Sequence, residues 1–295
     1  LSALFPVERA KPFFLIFATI SLSVTAVHGQ TRRLPRAQFP VLTAPLPDSN
    51  GNINSMNQST GLHLTEGEER PRNQPALRYN PGEPTLNMAT VRWENRKMPL
   101  LIWISPGLML ADCPFNEIQA TRVDYVTALF QNPGNPFAEL SQVKNWTPEV
   151  NDLVATGFEQ WREFENEGLF HFAFTDDPRQ ANICVFFTPG FKDSNAPGGI
   201  MVGGITSAQI YPLAQAQSMK IRQKPVIIEL STNVNSTPER MIGASAHEFG
   251  HALGIKAHSP YREDIMYVDR VVNSLSPGDK STIRWLYRQT PQYVM

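Results

Sequence analysis

The stretch His247-Glu248-Phe249-Gly250-His251-Ala252-Leu253-Gly254-Ile255-Lys256-Ala257-His258 holds three of the chain's six histidines. His247 and His251 are four apart, so on an α-helix about 400° of rotation stacks both imidazoles on one face, one turn apart. Glu248 is offset by about 100°, beside that row, where a carboxylate can take a proton from water held at a metal. Gly254 tolerates a positive φ, which ends the helix and turns the chain back toward the pair, delivering His258 as a third ligand. Three nitrogen ligands leave a fourth position open, the arrangement of a catalytic zinc site rather than a structural one. A solvated helix face carrying two surface histidines is the plainer reading, but it does not account for Gly254 and His258.

Working outward, Ser236 and Glu239 have capping-box spacing with Pro238 between them, so the motif helix is expected to start at Ser236. Upstream, Leu100-Leu101-Ile102-Trp103-Ile104 has strand length and composition and is closed by Ser105-Pro106-Gly107. Part of 115–130 reads as helix. Thr147 and Pro148 then open an amphipathic helix whose Val150, Leu153, Val154, Phe158, Trp161 and Phe164 recur at spacings of three and four. Residues 169–174, 181–187 and 226–230 read as strands. The glycine-rich run 198–206 suits a sheet edge where another backbone approaches closely. His171, in the first of these strands, reads as a structural side chain.

The run 247–258 resembles the zinc signature of the metzincin metallopeptidases, and within them the matrixin branch in its exported prokaryotic form. His247, Glu248, His251 and Gly254 stand where that family places two ligands, its base and its turn glycine. The family's third histidine falls six residues after the second; here Ala257 stands there and His258 comes seven after His251. Alanine cannot bind a metal, and a loop absorbs one extra residue more readily than a helix, so His258 is taken as the ligand, with Asp264 and Glu263 as the alternatives. Glu263-Asp264-Ile265-Met266-Tyr267 resembles the Met-turn, with Met266 as its methionine and no role carried over for Tyr267. Leu275-Ser276-Pro277-Gly278-Asp279 leads into a helix like the family's closing one. The likeness covers residues 98–288, strongly at the zinc helix and more weakly before it.

The resemblance implies an α+β, zincin-like fold: a mixed, twisted five-stranded sheet with an antiparallel edge strand, an active-site helix and a C-terminal helix. It implies Zn2+ held by His247, His251 and His258, with structural Ca2+ a further cofactor of the family. The activity implied is that of a zinc-dependent endopeptidase, in which Glu248 activates the water that hydrolyses the peptide bond. A protein or peptide substrate would add as a strand along 198–206, and Val268 to Ser274 would shape the specificity pocket. Two other classes share such a site: an exported zinc hydrolase of cell-wall peptides, and a non-catalytic secreted binding protein that retains zinc.

The chain has 295 residues, a formal charge of −1 and 18% charged residues, which gives no electrostatic footprint for nucleic acid. Arg9 and Lys11, an apolar run over 13–24 and small residues up to Gly29 read as a signal peptide over 1–29. An uncleaved anchor is the alternative, although that run is short for the ~20 residues of a spanning helix. Cleavage would leave a secreted or periplasmic, extracytoplasmic protein with no membrane attachment. From 30 to 95 prolines recur without helical or alternating period, which reads as a largely disordered linker or pro-segment, with the catalytic domain over 96–295. Two cysteines, Cys113 and Cys184, cannot form a disulfide framework. Cys184, inside an apolar run, reads as a buried thiol, with a Cys113–Cys184 bridge as the rival. Oligomeric state leaves no trace in the sequence.

Overall fold

Runs of isoleucine, valine and phenylalanine, residues that fit a pleated and buried surface, make the strands at the centre of this molecule. The computed structural model describes residues 67–191, 202–218 and 224–295, all inside the compact unit that spans 55–295. In chain order the strands are β1 (Val91–Arg92), β2 (Leu100–Ile104), β3 (Phe172–Phe174), β4 (Ile183–Thr188), β5 (Gly204–Ser207), β6 (Tyr211–Pro212), β7 (Val226–Ser231) and β8 (Tyr293–Val294). The helices are α1 (Ile118–Leu129), α2 (Pro148–Glu159), α3 (Leu213–Ser218), α4 (Pro238–Leu253) and α5 (Pro277–Arg288). The expected signal peptide over 1–29 lies outside the described residues. Among the described residues no helix is long and apolar enough to cross a membrane.

The fold is α+β, with a five-stranded mixed sheet in the order β3-β2-β4-β7-β5. β2, β3, β4 and β7 run parallel, and β5 pairs antiparallel with β7 at the edge, Gly204 opposite Leu230 and Ser207 opposite Ile227. This is the sheet expected from the sequence, with the edge strand confined to 204–207; residues 192–201 lie outside the described ones. A second sheet of three short strands, β1-β8-β6, was not foreseen.

Alternation along the strands sorts the core. Ile183, Val185 and Phe187 of β4 and Val226, Ile228 and Leu230 of β7 face α2 and α4, packing with Phe158, Trp161 and Phe249. Cys184, Phe186 and Ile227 face the other way, toward Val123 and Val126 of α1. Both cysteines are free thiols, Cys184 buried, so the alternative of a bridge is set aside. α2 begins at the expected Thr147 and Pro148 but ends at Glu159, and its apolar face continues through a 3-10 turn over Arg162–Glu165 that buries Phe164. The N-cap of α4 is Thr237, not Ser236: the Thr237 hydroxyl accepts from the Arg240 N–H, with Pro238 at the first helical position.

The expectation that 30–95 lacks fold fails for the part that is described, 67–95. Trp93 and Val91 are fully buried and Tyr79 nearly so. The Trp93 indole donates to Ala252 O at 2.8 Å, and Lys256 N donates to Pro81 O at 2.8 Å. Prolines remove the periodic pattern that marks helices and strands, yet a few large side chains suffice to anchor an irregular segment when its backbone bonds go to the rest of the fold. The folded domain therefore begins before residue 96.

Candidate metal centre

α4 carries the first two candidate ligands because its sequence makes it a well-ended helix. Gly254 closes it at φ 116, a conformation open to glycine alone at little cost, and the Val91 carbonyl lies 2.2 Å from where a Cβ would stand. Ile255 N donates back to Gly250 O, so the chain reverses over the last helical turn. That reversal brings His258 to His247 and His251. One ring nitrogen from each of the three lies within 4.8 Å of the others, close enough for the set to hold one metal ion. Ring centroids are 4.8 Å apart for His247 and His251, 5.3 Å for His247 and His258, and 5.0 Å for His251 and His258. The extra residue is absorbed between Gly254 and His258, and Ala257 is not in the cluster.

Two carbonyls fix the helix-borne rings. His247 Nδ1 is 2.7 Å from Ile265 O and His251 Nδ1 is 2.6 Å from Ile255 O. A carbonyl oxygen only accepts, so each Nδ1 carries the hydrogen and each Nε2 is left with a bare lone pair. Burial holds the rings neutral: His247 is pushed down to about 3, and His251 well below its ordinary value, in both cases first by burial and then by the neighbouring histidines. His258, whose ring is open to solvent along the cleft, is drawn down less, to about 4, by the protein around its buried side. Three neutral imidazoles with converging nitrogens are a donor set that fits a divalent zinc-like ion. Among the described residues no second group of three such ligating side chains occurs, so no acidic cluster for the anticipated structural Ca2+ is found there.

The alternative ligands Asp264 and Glu263 are engaged elsewhere. Arg70 Nη2 bonds both oxygens of Asp264 at 2.6 Å, and Arg70 Nε bonds Glu263 Oε1 at 3.0 Å. Met266 is fully buried, with its Sδ against Gly250, where an added Cβ would come within 2.4 Å of the sulfur. His171 lies away from the cluster, beside Glu165.

Glu248 points from α4 to the edge strand. Its Oε2 accepts from Thr206 Oγ1 at 2.7 Å, and its Cγ and Oε1 lie 2.6 and 2.7 Å from where a Cβ of Gly204 would stand. The glycine of β5 thus makes room for a side chain, where a close backbone had been expected. Burial raises the Glu248 carboxyl to about 7, against the opposing pull of the Thr206 bond and the Arg270 charge. A carboxyl so tuned is half ionised near neutrality, the condition in which it both takes and gives a proton. His247, Glu248, His251 and His258 line one cleft of about 1650 Å³, together with β5 and residues 268–274. That volume exceeds the ~300–1,000 Å³ of common small-molecule pockets.

Thr206, Arg70 and the two carbonyls carry no motif signal; only the glycine run around Gly204 marked a place of close approach. No protein-family model matches the chain, and no curated protein matches it.

Proposed function

We propose that the chain is an exported zinc-dependent endopeptidase of metzincin-like type, acting on a protein or peptide substrate. The observation that carries this reading is the convergence of His247, His251 and His258 beside a buried Glu248 in an open cleft. His247, His251 and His258 would hold the metal. When bound, zinc supplies a Lewis acid that polarises a carbonyl and acidifies water.

The chain's own groups do the rest. Ile265 O and Ile255 O keep two rings in one tautomer and orientation. Thr206 holds the Glu248 carboxylate by one oxygen, so the other is available to take a proton from water and return it to the leaving amine. β5, antiparallel at the sheet edge, offers backbone groups to an extended substrate. Removal of residues 1–29 as a leader would place the enzyme outside the cytoplasm.

Glu248→Gln tests the reading. Turnover of a peptide library should vanish while one equivalent of zinc stays bound; undiminished cleavage by this variant would overturn the role of Glu248, and absence of stoichiometric zinc in the parent would overturn the metal centre.

A further inference from the structure

We propose that Arg270 makes this cleft selective for substrates with an acidic side chain next to the bond to be cut. The inference rests on the peptidase reading and narrows its substrate class.

Arg270 sits in the wall formed by residues 268–274, and the guanidinium packs against α4 at Gly243, where an added Cβ would lie 2.2 Å from Nη1 and 2.9 Å from Cζ. Gly243 is four residues before His247 on the same helix face, one turn or ~6 Å along the axis. The cation therefore stands one helical turn from the ligand row. Two backbone carbonyls fix its direction: Nη1 donates to Val272 O at 2.9 Å and Nη2 to Arg240 O at 3.2 Å. A guanidinium has five N–H donors, so this leaves donors for the cleft.

What the guanidinium lacks is an anion in direct contact. Among the described residues no carboxylate forms an ion pair with Arg270. Glu239 and Asp269 line the same cleft without pairing with it, and the charges that act on it are Glu248 and the like-charged Arg240. Val268 and Val271, on either side of it in the same wall, are exposed. A half-buried cation held by neutral carbonyls, with Glu248 acting on it only at a distance, has no carboxylate in contact, and one arriving with the substrate relieves that cost through a charge-assisted, two-pronged bond. An amide of the same shape does not.

The test uses the full chain loaded with zinc and paired peptides that differ only by Asp for Asn or Glu for Gln near the cleaved bond. The acidic member should have the higher kcat/KM by about tenfold or more. Arg270→Gln should bring the pair to within about twofold, and Arg270→Lys, which keeps the charge but not the fork, should retain part of the contrast. Binding of the same peptides to the Glu248→Gln protein, read by fluorescence anisotropy, supplies a measurement independent of turnover. A contrast that is missing, or that survives Arg270→Gln in both measurements, overturns the proposal. If no peptide is cleaved yet the binding contrast is present and lost in Arg270→Gln, the acidic-ligand site stands and the peptidase reading fails.

Discussion

Arg70 Nη2 bonds both carboxylate oxygens of Asp264 at 2.6 Å, joining the proline-rich segment to the turn beneath the histidines across 194 residues of sequence. The guanidinium also lies 4.2 Å from the Tyr261 ring centroid and packs against Gly278. Asp264 in turn accepts from the hydroxyls of Ser259 and Ser276, so one buried carboxylate ties the loop that carries His258 to the N-cap of α5. The next residue, Ile265, donates its N–H to Asp279 and gives its carbonyl to His247.

Arg70→Ala should therefore do more than remove a surface ion pair. The Arg70 side chain is 4% exposed and that of Asp264 is fully buried, so the variant strands a carboxylate in the interior, at a cost of about 3–5 kcal/mol. Zinc affinity should fall by about 10–100-fold as the loop that holds His258 and Ile265 loosens. Urea unfolding and a competitive zinc titration check both; unchanged values in the two assays would mean that Asp264 does not depend on Arg70.

Gly204→Ala separates the proposed role of Glu248 from that of the three histidines. A methyl there would stand 2.6 Å from Glu248 Cγ, so Glu248 must move while the histidines, held by α4 and the 255–265 turn, need not. Misplacing a reacting group by about 1 Å costs up to about 100-fold in rate. On the proposed reading, the expected result is a peptidase rate lowered by about 10–100-fold with zinc affinity within about twofold of the parent. A rate equal to the parent's would show that the carboxylate is not positioned by the edge strand.

The three-histidine cluster was legible because it is local: His247 and His251 share one helix, and Gly254 and His258 follow shortly after it. The core strands were legible for a similar reason, since runs such as Val226–Ser231 and Ile183–Thr188 need only their own composition to declare themselves. What stayed hidden is long-range or patternless. Thr206 meets Glu248 from a strand 42 residues away, and nothing in its neighbourhood distinguishes it from any other threonine of a sheet edge. Residues 67–95 are held by Tyr79, Val91 and Trp93, three buried side chains in a proline-interrupted segment, and a periodicity test has no power there. The N-cap of α4 falls one residue later than expected because Ser236 and Thr237 both suit the position, and only the bond from Arg240 N distinguishes them.

On the sheet face away from the histidines, Arg122 Nε bonds Glu229 Oε2 at 2.8 Å, with both side chains less than a tenth exposed. Burial pushes the Glu229 carboxyl up and Arg122 pulls it back. Removing either partner leaves the other uncompensated, so Arg122→Ala and Glu229→Ala should each cost about 3 kcal/mol or more, and the double variant less than their sum. Zinc affinity should not change in any of the three, because this pair sits between α1 and β7. A double variant whose loss equals the sum of the single losses would show that the two charges are not coupled.

Glu248→Gln carries a second, thermodynamic consequence in the metal-free protein. With its carboxyl raised to about 7 by burial, the folded chain keeps a proton on Glu248 between about pH 4.5 and 7 that the unfolded chain has released. Where the folded state binds more protons than the unfolded one, stability falls as pH rises, so Glu248 weakens the fold progressively through that window. Glutamine keeps the shape and a polar group for Thr206 but has no proton to lose. The variant should match the parent near pH 4 and exceed it above pH 7 by roughly 3 kcal/mol, since each pKa unit is worth about 1.4 kcal/mol. Denaturant unfolding in chelator from pH 4 to 8 checks this, and a difference that is constant with pH, or grows toward acid, would rule out the burial of an ionisable Glu248. The gain should shrink when zinc is restored, because a cation beside the carboxylate favours its ionised form and removes the strain that glutamine relieves.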